Sequence, residues 1–206
     1  MNSGILIVIS GFSGAGKGTL VNRLVTEYDN YALSISMTTR KPRVGEVNGK
    51  SYFFVTHEEF EHEIKQDGLL EYASYCDNYY GTPKFYVEEQ LKAGKDVILE
   101  IEVQGALQIK EKYPDALLLF VTPPSAKVLK ERLESRGTET KDVIDKRMRT
   151  ACKEAEVMKR YDFIVVNDDL DNCVKDTHEM IRAAHYASNR SDDFIQFLKE
   201  DLLKLS

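Results

Sequence analysis

The residues Gly11-Phe-Ser-Gly-Ala-Gly-Lys17 fit the spacing GxxxxGK, and Gly18 and Thr19 follow them. That spacing is a device for holding phosphate. Glycines let successive backbone N–H groups turn inward on an anion, a following helix offers the positive end of its dipole, and the lysine reaches terminal phosphates. A glycine-rich turn with no ligand would show the same glycines, so the flanks must decide. An apolar run, Ile5-Leu-Ile-Val-Ile9, precedes the loop, and an amphipathic stretch from Lys17 to Tyr28 follows it. This is the strand–loop–helix context that the pattern requires. Gly11, Ser13, Gly14, Ala15, Gly16, Lys17, Gly18 and Thr19 are the expected contacts to a nucleoside triphosphate.

The position after the lysine departs from the commonest form of this loop. A Ser or Thr there ligates Mg²⁺, whereas this chain has Gly18 and only then Thr19. GKGT at this place is similar to the loop of adenylate kinases and related nucleoside monophosphate kinases. That resemblance implies a metal held largely through water and by acidic residues elsewhere. It points away from a GTPase and toward transfer between nucleotides.

A second group of residues suits a second phosphate. Ser36-Met-Thr-Thr-Arg-Lys-Pro-Arg43 is followed by Gly45-Glu-Val-Asn-Gly-Lys-Ser-Tyr52, then Glu71, then Asn78-Tyr-Tyr-Gly-Thr82. Arginine offers a planar fork that matches phosphate, and tyrosine adds a hydroxyl. Taken alone, Arg40 and Arg43 would read as solvated loop charges; a phosphate loop in the same chain shifts that balance. Glu71 stands among apolar neighbours, and a partly buried carboxylate can accept from guanine N1–H and N2–H₂ together, a donor face that adenine lacks.

The run from Ser36 to Tyr52, with Tyr79-Tyr-Gly-Thr82 and Arg136-Gly-Thr-Glu-Thr140, closely resembles the guanylate kinases. The resemblance extends from the phosphate loop to Asn167, with the segments in the family's order. It implies that Arg40, Arg43, Tyr52 and Tyr80 hold the phosphate of GMP, and that Ser36, Glu71 and Thr82 contact guanine. Thr82 stands where Ser is common. Glu102 falls where the family usually has an Asp that helps to read the base, so the charge is kept and the reach is one methylene longer. The resemblance also implies that Lys17, Arg132, Arg136 and Arg147 surround the moving phosphoryl group. Asn167 is expected near the ATP adenine, and Glu100, at the end of a buried strand, in a water-mediated metal shell. The activity implied is ATP-dependent phosphorylation of GMP, with Mg²⁺ as cofactor, in purine nucleotide metabolism. A monophosphate acceptor is already ionised, so the lack of a nucleophile–base pattern fits. His57, His62, His178 and His185 read as surface or packing residues.

The elements that must position these residues follow a repeated rhythm. Ile5–Ile9, Val97–Ile101, Ala116–Val121 and Phe163–Val166 are short apolar runs that read as buried strands. Helical stretches follow them at Lys17–Tyr28, Gly105–Lys112, Ser125–Arg136 and Leu170–Ala187. Strand-then-helix units of this kind imply an α/β fold, a parallel sheet flanked by helices. Leu20, Val21, Leu24 and Val25 form the inner face of the first helix. Residues 37–82 break the rhythm and read as a small inserted α+β subdomain, with a strand Tyr52–Val55, a helix capped by Thr56 and Glu59, and a strand Leu69–Tyr75. A polar loop at 136–140 between two long basic helices reads as part of a helical lid over 126–155. The whole chain is expected to be one domain, with core segments 1–36, 83–125 and 156–206 and a GMP-binding insert at 37–82.

Composition excludes other classes. The 206 residues are 42% hydrophobic and 30% charged with a formal net charge of −6, which argues against a nucleic-acid footprint but not against nucleotides. The run Ile5–Ile9 is too short to span a membrane and carries no basic segment before it. Cys76, Cys152 and Cys173 are far apart and lack metal spacing, so reduced, mostly packed thiols and a cytoplasmic location are expected. Two other readings stand beside the kinase: a non-catalytic module that binds phosphopeptides in a former GMP site, and a kinase with a different acceptor. The C-terminal stretch Asp192–Leu205 reads as a helix that packs on its own core or on a partner subunit, which leaves the oligomeric state open.

Overall fold

In chain order the elements are β1 (Leu6–Gly11), α1 (Lys17–Glu27), β2 (Tyr31–Leu33), β3 (Met37–Thr38), β4 (Phe53–Phe54), α2 (His57–Lys65), β5 (Leu69–Tyr75), β6 (Asn78–Pro83) and α3 (Lys84–Lys92). Then come β7 (Asp96–Glu100), α4 (Val103–Lys112), β8 (Leu117–Thr122), α5 (Ala126–Ser135), α6 (Lys141–Ala155), β9 (Phe163–Val166), α7 (Leu170–Ala184) and α8 (Asp192–Leu205). The structure is a computed structural model that describes residues 4–75, 77–135 and 140–205.

Five strands form one parallel sheet in the order β2-β7-β1-β8-β9. Its centre is β1, all six of whose residues are buried. Strand alternation sends them to opposite layers. Ile5, Ile7 and Ile9 pack with Leu20, Leu24, Val174 and Ile181 of α1 and α7. Leu6 and Val8 pack with Val87, Val103, Ala106 and Ile109 of α3 and α4. A strand sandwiched between two helical layers has no solvent face, which is why its sequence is continuously apolar rather than alternating.

The second sheet, β4-β3-β6-β5, lies between β2 and α3 in the chain and is mostly antiparallel. Its small core is Met37, Phe60 and Leu69. Phe60 comes from α2, which starts with the expected capping box: Glu59 N–H donates to Thr56 Oγ1 at 3.1 Å, and Thr56 N–H donates to Glu59 Oε2 at 2.7 Å. The helices α5 and α6 pack on each other through Leu129, Leu133, Ile144 and Ala151.

Several boundaries differ from expectation. β1 runs on to Gly11, α4 starts two residues early at Val103, and α7 stops at Ala184. The strand expected at Tyr52–Val55 is only Phe53–Phe54. Val25 is only partly buried against the core. Cys173 is packed, but Cys152 is exposed on α6, which corrects the expectation of mostly packed thiols; Cys76 lies outside the described residues. α8 forms as expected and buries none of its side chains against the rest of the described chain. No described helix is long and apolar enough to cross a membrane.

Candidate active site

β1 delivers the chain to the carboxyl edge of the parallel sheet at Gly11. A Cβ at Gly11 would stand 2.0 Å from the Val121 carbonyl oxygen, so only glycine lets the strand end run this close to β8. The turn closes when Ala15 N–H donates to the Phe12 carbonyl at 3.0 Å. Gly16, with φ at 91°, then starts α1, and no side chain caps the helix. The first-turn N–H groups are thus left facing outward for an anion. Lys17 Nζ donates back to the Gly11 and Phe12 carbonyls at 2.8 and 3.2 Å, which ties the ammonium to the start of its own loop.

Two neighbours brace this loop. Asn167, 6% exposed at the end of β9, donates from Nδ2 to the Ala15 carbonyl at 2.8 Å. A Cβ on Gly16 would lie 2.4 Å from that Nδ2. The amide expected beside the adenine thus uses one of its donors on the loop's main chain. On the other side Arg147 of α6 donates from Nη1 to Ser13 Oγ, while Phe12 packs on the α5–α6 pair. Arg132 is half-buried on α5. Arg136 lies outside the described residues, as does the rest of the expected lid loop through residue 139. Thr19 is exposed.

Three carboxylates gather beside the lysine. Glu100, at the end of β7, stands so close to Gly18 that an added Cβ would meet both its oxygens at 3.6 Å. Its side chain is open to solvent at the mouth, yet surrounding protein raises its carboxyl above the usual range; Lys17 pulls it down and Glu102 pushes it up. Glu154 of α6 is raised by burial and further by Glu102, with Lys17 again opposing. Glu102 caps α4 without using its side chain. Among the described residues no group of three or more His, Cys, Asp or Glu could hold a metal ion directly.

Beyond Glu100 opens a cleft of about 870 Å³ between the small sheet and α4, lined among others by Ser36, Tyr52, Glu71, Tyr80, Glu100 and Glu102. Glu71 is its half-buried carboxylate. Thr82, 1% exposed, donates from Oγ1 to Glu71 Oε1 at 2.7 Å. Burial pushes the Glu71 carboxyl up, and the Thr82 bond draws it partly back. Next to the cleft, Arg40 lies over the Tyr52 ring at 5.3 Å, and the Tyr52 and Tyr80 rings meet edge-on at 6.3 Å. Arg43 is exposed at the far end of the same loop. A smaller cavity of about 170 Å³ joins Ser36 and Thr82 to Ser34, whose Oγ is buried without a hydrogen-bond partner.

The guanylate kinase family model matches residues 3–184. The chain belongs to the guanylate kinase family. It is 51% identical over 185 residues to the guanylate kinase of Latilactobacillus sakei subsp. sakei, covering 89% of this chain and 91% of the relative. It is 46% identical over 198 residues to that of Caldanaerobacter subterraneus subsp. tengcongensis, covering 96% of each. The crystal structure of guanylate kinase from Anaplasma phagocytophilum superposes with a TM-score of 0.70 at 29% identity, covering 92% of this chain and 90% of that one. The parallel sheet flanked by helices is thus the fold of that guanylate kinase.

Within this guanylate kinase family frame, sequence reasoning missed two acidic residues. Glu46 takes the Arg40 fork: Arg40 Nη1 and Nη2 donate to Glu46 Oε2 and Oε1 at 3.0 and 2.8 Å. The Arg40 fork and the Arg43 N–H lower the Glu46 carboxyl from its ordinary value, and Glu46 in turn raises Arg40. Its signal was an opposite charge six residues on in one loop. Glu154 sits seven residues after Arg147, two turns along one face of α6. The histidines gained partners too: His178 stacks on Tyr28 at 3.7 Å and meets Tyr31 Oη at 2.7 Å, and His185 Nε2 meets Asp96 Oδ2 at 2.9 Å. Both are packing contacts at the strand ends opposite the loop.

Proposed function

We infer that the chain transfers the γ-phosphoryl group of ATP to GMP, giving ADP and GDP. One observation carries the reading. The carboxyl edge of a single parallel sheet joins an uncapped, glycine-started helix to a cleft whose half-buried carboxylate is held by Thr82 beside an arginine loop. The first is a triphosphate grip. The second offers an acceptor pair that suits guanine, with Arg40, Arg43, Tyr52 and Tyr80 for its phosphate.

The acceptor oxygen is ionised, so no residue needs to remove a proton. Catalysis rests on alignment and on cations around the moving group. Lys17 leaves its loop carbonyls for the terminal phosphates. Arg147, already against Ser13, is one of these cations, and Arg132 and Arg136 are assigned to the same group. Residues 126–155 act as a lid and residues 37–82 as the acceptor-binding unit, which close together and exclude water. Mg²⁺ fits beside the loop: a carboxylate 3.6 Å from the Gly18 Cβ position can hold its water shell, and oxygen donors suit this ion. When bound it neutralises phosphate charge. Glu100 would hold that water shell, and Lys17 and the arginines supply the remaining positive charge.

A phosphopeptide-binding module would have no use for an intact lysine and glycines at 11–18. Their presence supports the enzyme. A coupled assay with ATP and Mg²⁺ tests it: ADP forms only when GMP is added. ADP production that ignores GMP would overturn the assignment.

A further inference from the structure

The Arg40 guanidinium is already committed along one edge. Besides the two bonds to Glu46, its Nη1 donates to the Lys41 carbonyl at 2.8 Å. A guanidinium carries five N–H groups, and these contacts use both on Nη1 and one on Nη2. The two that remain, Nε–H and the second Nη2–H, form the other two-pronged edge of the fork, the geometry that matches a pair of phosphate oxygens, and the Tyr80 hydroxyl also reaches this guanidinium. Glu46 does a second thing. Its Oε2 accepts the Arg43 backbone N–H at 2.7 Å, so one carboxylate fixes both arginines of the loop. The ion pair is well covered, with the side chains only 15% and 21% exposed. Thr38 Oγ1 adds a bond to the Arg40 N–H at 3.2 Å, and Phe54 lies 5.8 Å from the guanidinium carbon.

We propose that Glu46 is a positioning residue for the acceptor's phosphate, holding Arg40 by one edge so that the opposite edge meets that phosphate in a fixed orientation. The proposal rests on the reading of Arg40 and Arg43 as the phosphate site of GMP. The rival account makes Glu46 a counter-ion that competes with phosphate for Arg40. The two differ in sign. A long arginine left unheld must be ordered by the ligand itself, which weakens binding; a competitor removed would strengthen it. The two contacts to Arg40 and the third to the Arg43 main chain favour positioning, since a mere counter-ion needs no bond to the backbone.

Competitive binding of GMP and of guanosine to the full chain, in the parent, Glu46→Gln and Glu46→Asp, separates the accounts. Glu46→Gln keeps the size and turns an acceptor toward Arg40 into a donor. Glu46→Asp keeps the charge and shortens the reach. Positioning predicts that both variants lose about tenfold in GMP affinity, while guanosine, which has no phosphate, binds within about twofold of the parent. Tighter or unchanged GMP binding in Glu46→Gln would overturn the proposal. So would an equal loss for GMP and guanosine, which would mark Glu46 as a general support of the loop. If the parent binds guanosine as tightly as GMP, and Arg40→Ala leaves GMP binding unchanged, the phosphate-site reading itself fails and takes the proposal with it.

Discussion

The loop after β1 and the cleft beside β5 and β6 face the same edge of the parallel sheet, but they are built on opposite plans. The loop works with main chain. Its glycines, the uncapped start of α1 and the Ala15 carbonyl held by Asn167 shape a cradle that any polyphosphate fits. The cleft works with side chains drawn from separate segments: Arg40 with Glu46, Tyr52 with Tyr80, Glu71 with Thr82. Main chain grips a phosphate without asking what is attached to it, whereas a buried carboxylate clamped by a hydroxyl rejects a ligand that lacks the matching donors. On the proposed assignment, generality belongs to the donor side and selectivity to the acceptor side.

Substitutions that separate the two sides sharpen this contrast. The largest effect belongs to Lys17→Met, which removes the ammonium proposed to reach the terminal phosphates. Turnover falls by ~10³-fold or more while the melting temperature stays near that of the parent; retained turnover would refute the role of the loop. Glu71→Gln comes next, because the amide turns a donor toward the guanine donors. kcat/KM for GMP drops about 100-fold, a loss of about 2.7 kcal/mol, and KM for ATP does not change. Asn167→Ala acts on the other side alone. It leaves the Ala15 carbonyl without its buried partner, at a cost of about 1–3 kcal/mol, read as a higher KM for ATP at constant KM for GMP.

Acid titration distinguishes the two sites in another way. As the proposed acceptor for guanine Glu71 must be ionised, and burial raises this carboxyl above its ordinary value of 4.5. GMP affinity should therefore weaken as pH falls through that raised value, at higher pH than an exposed glutamate would give, and Glu71→Gln should lose this dependence. For stability the sign reverses. A raised carboxyl favours the folded state below its unfolded value, and that contribution is lost as pH rises through the folded one. The smallest effect is Thr56→Ala, which breaks the capping box of α2 and costs about 1 kcal/mol in thermal unfolding, with kcat within about twofold of the parent.

The contrast also explains what was legible in the sequence. The loop is local: seven consecutive residues between an apolar run and an amphipathic one carry the whole device, and β1 and α1 formed where the pattern put them. The central strands β7, β8 and β9 were equally readable, because burial on both faces makes them continuously apolar. The small sheet was readable only in part: β5 formed at Leu69–Tyr75 as expected, and the other strands were harder. β3 and β4 have two residues each, and β6 contains Gly81 and Pro83, which read as turn residues until β5 pairs with them. α3 buries only Val87, too little to mark a helical face. The partnership of Arg40 with Glu46 was hidden because a loop sequence records charges but not which edge of a guanidinium each occupies. Asn167 depends on a contact across 152 positions, and no spacing rule reaches that far.

The central claim is that acceptor choice resides in the cleft and not in the loop. An acceptor panel with ATP and Mg²⁺, in which ADP is read for GMP, AMP, CMP and UMP in the parent and in Glu71→Gln, tests it most directly. The parent should turn over GMP far faster than the other three, and the variant should lose GMP turnover with the ATP KM intact. Comparable turnover of AMP and GMP by the parent, or a variant that keeps its preference for GMP, would contradict it.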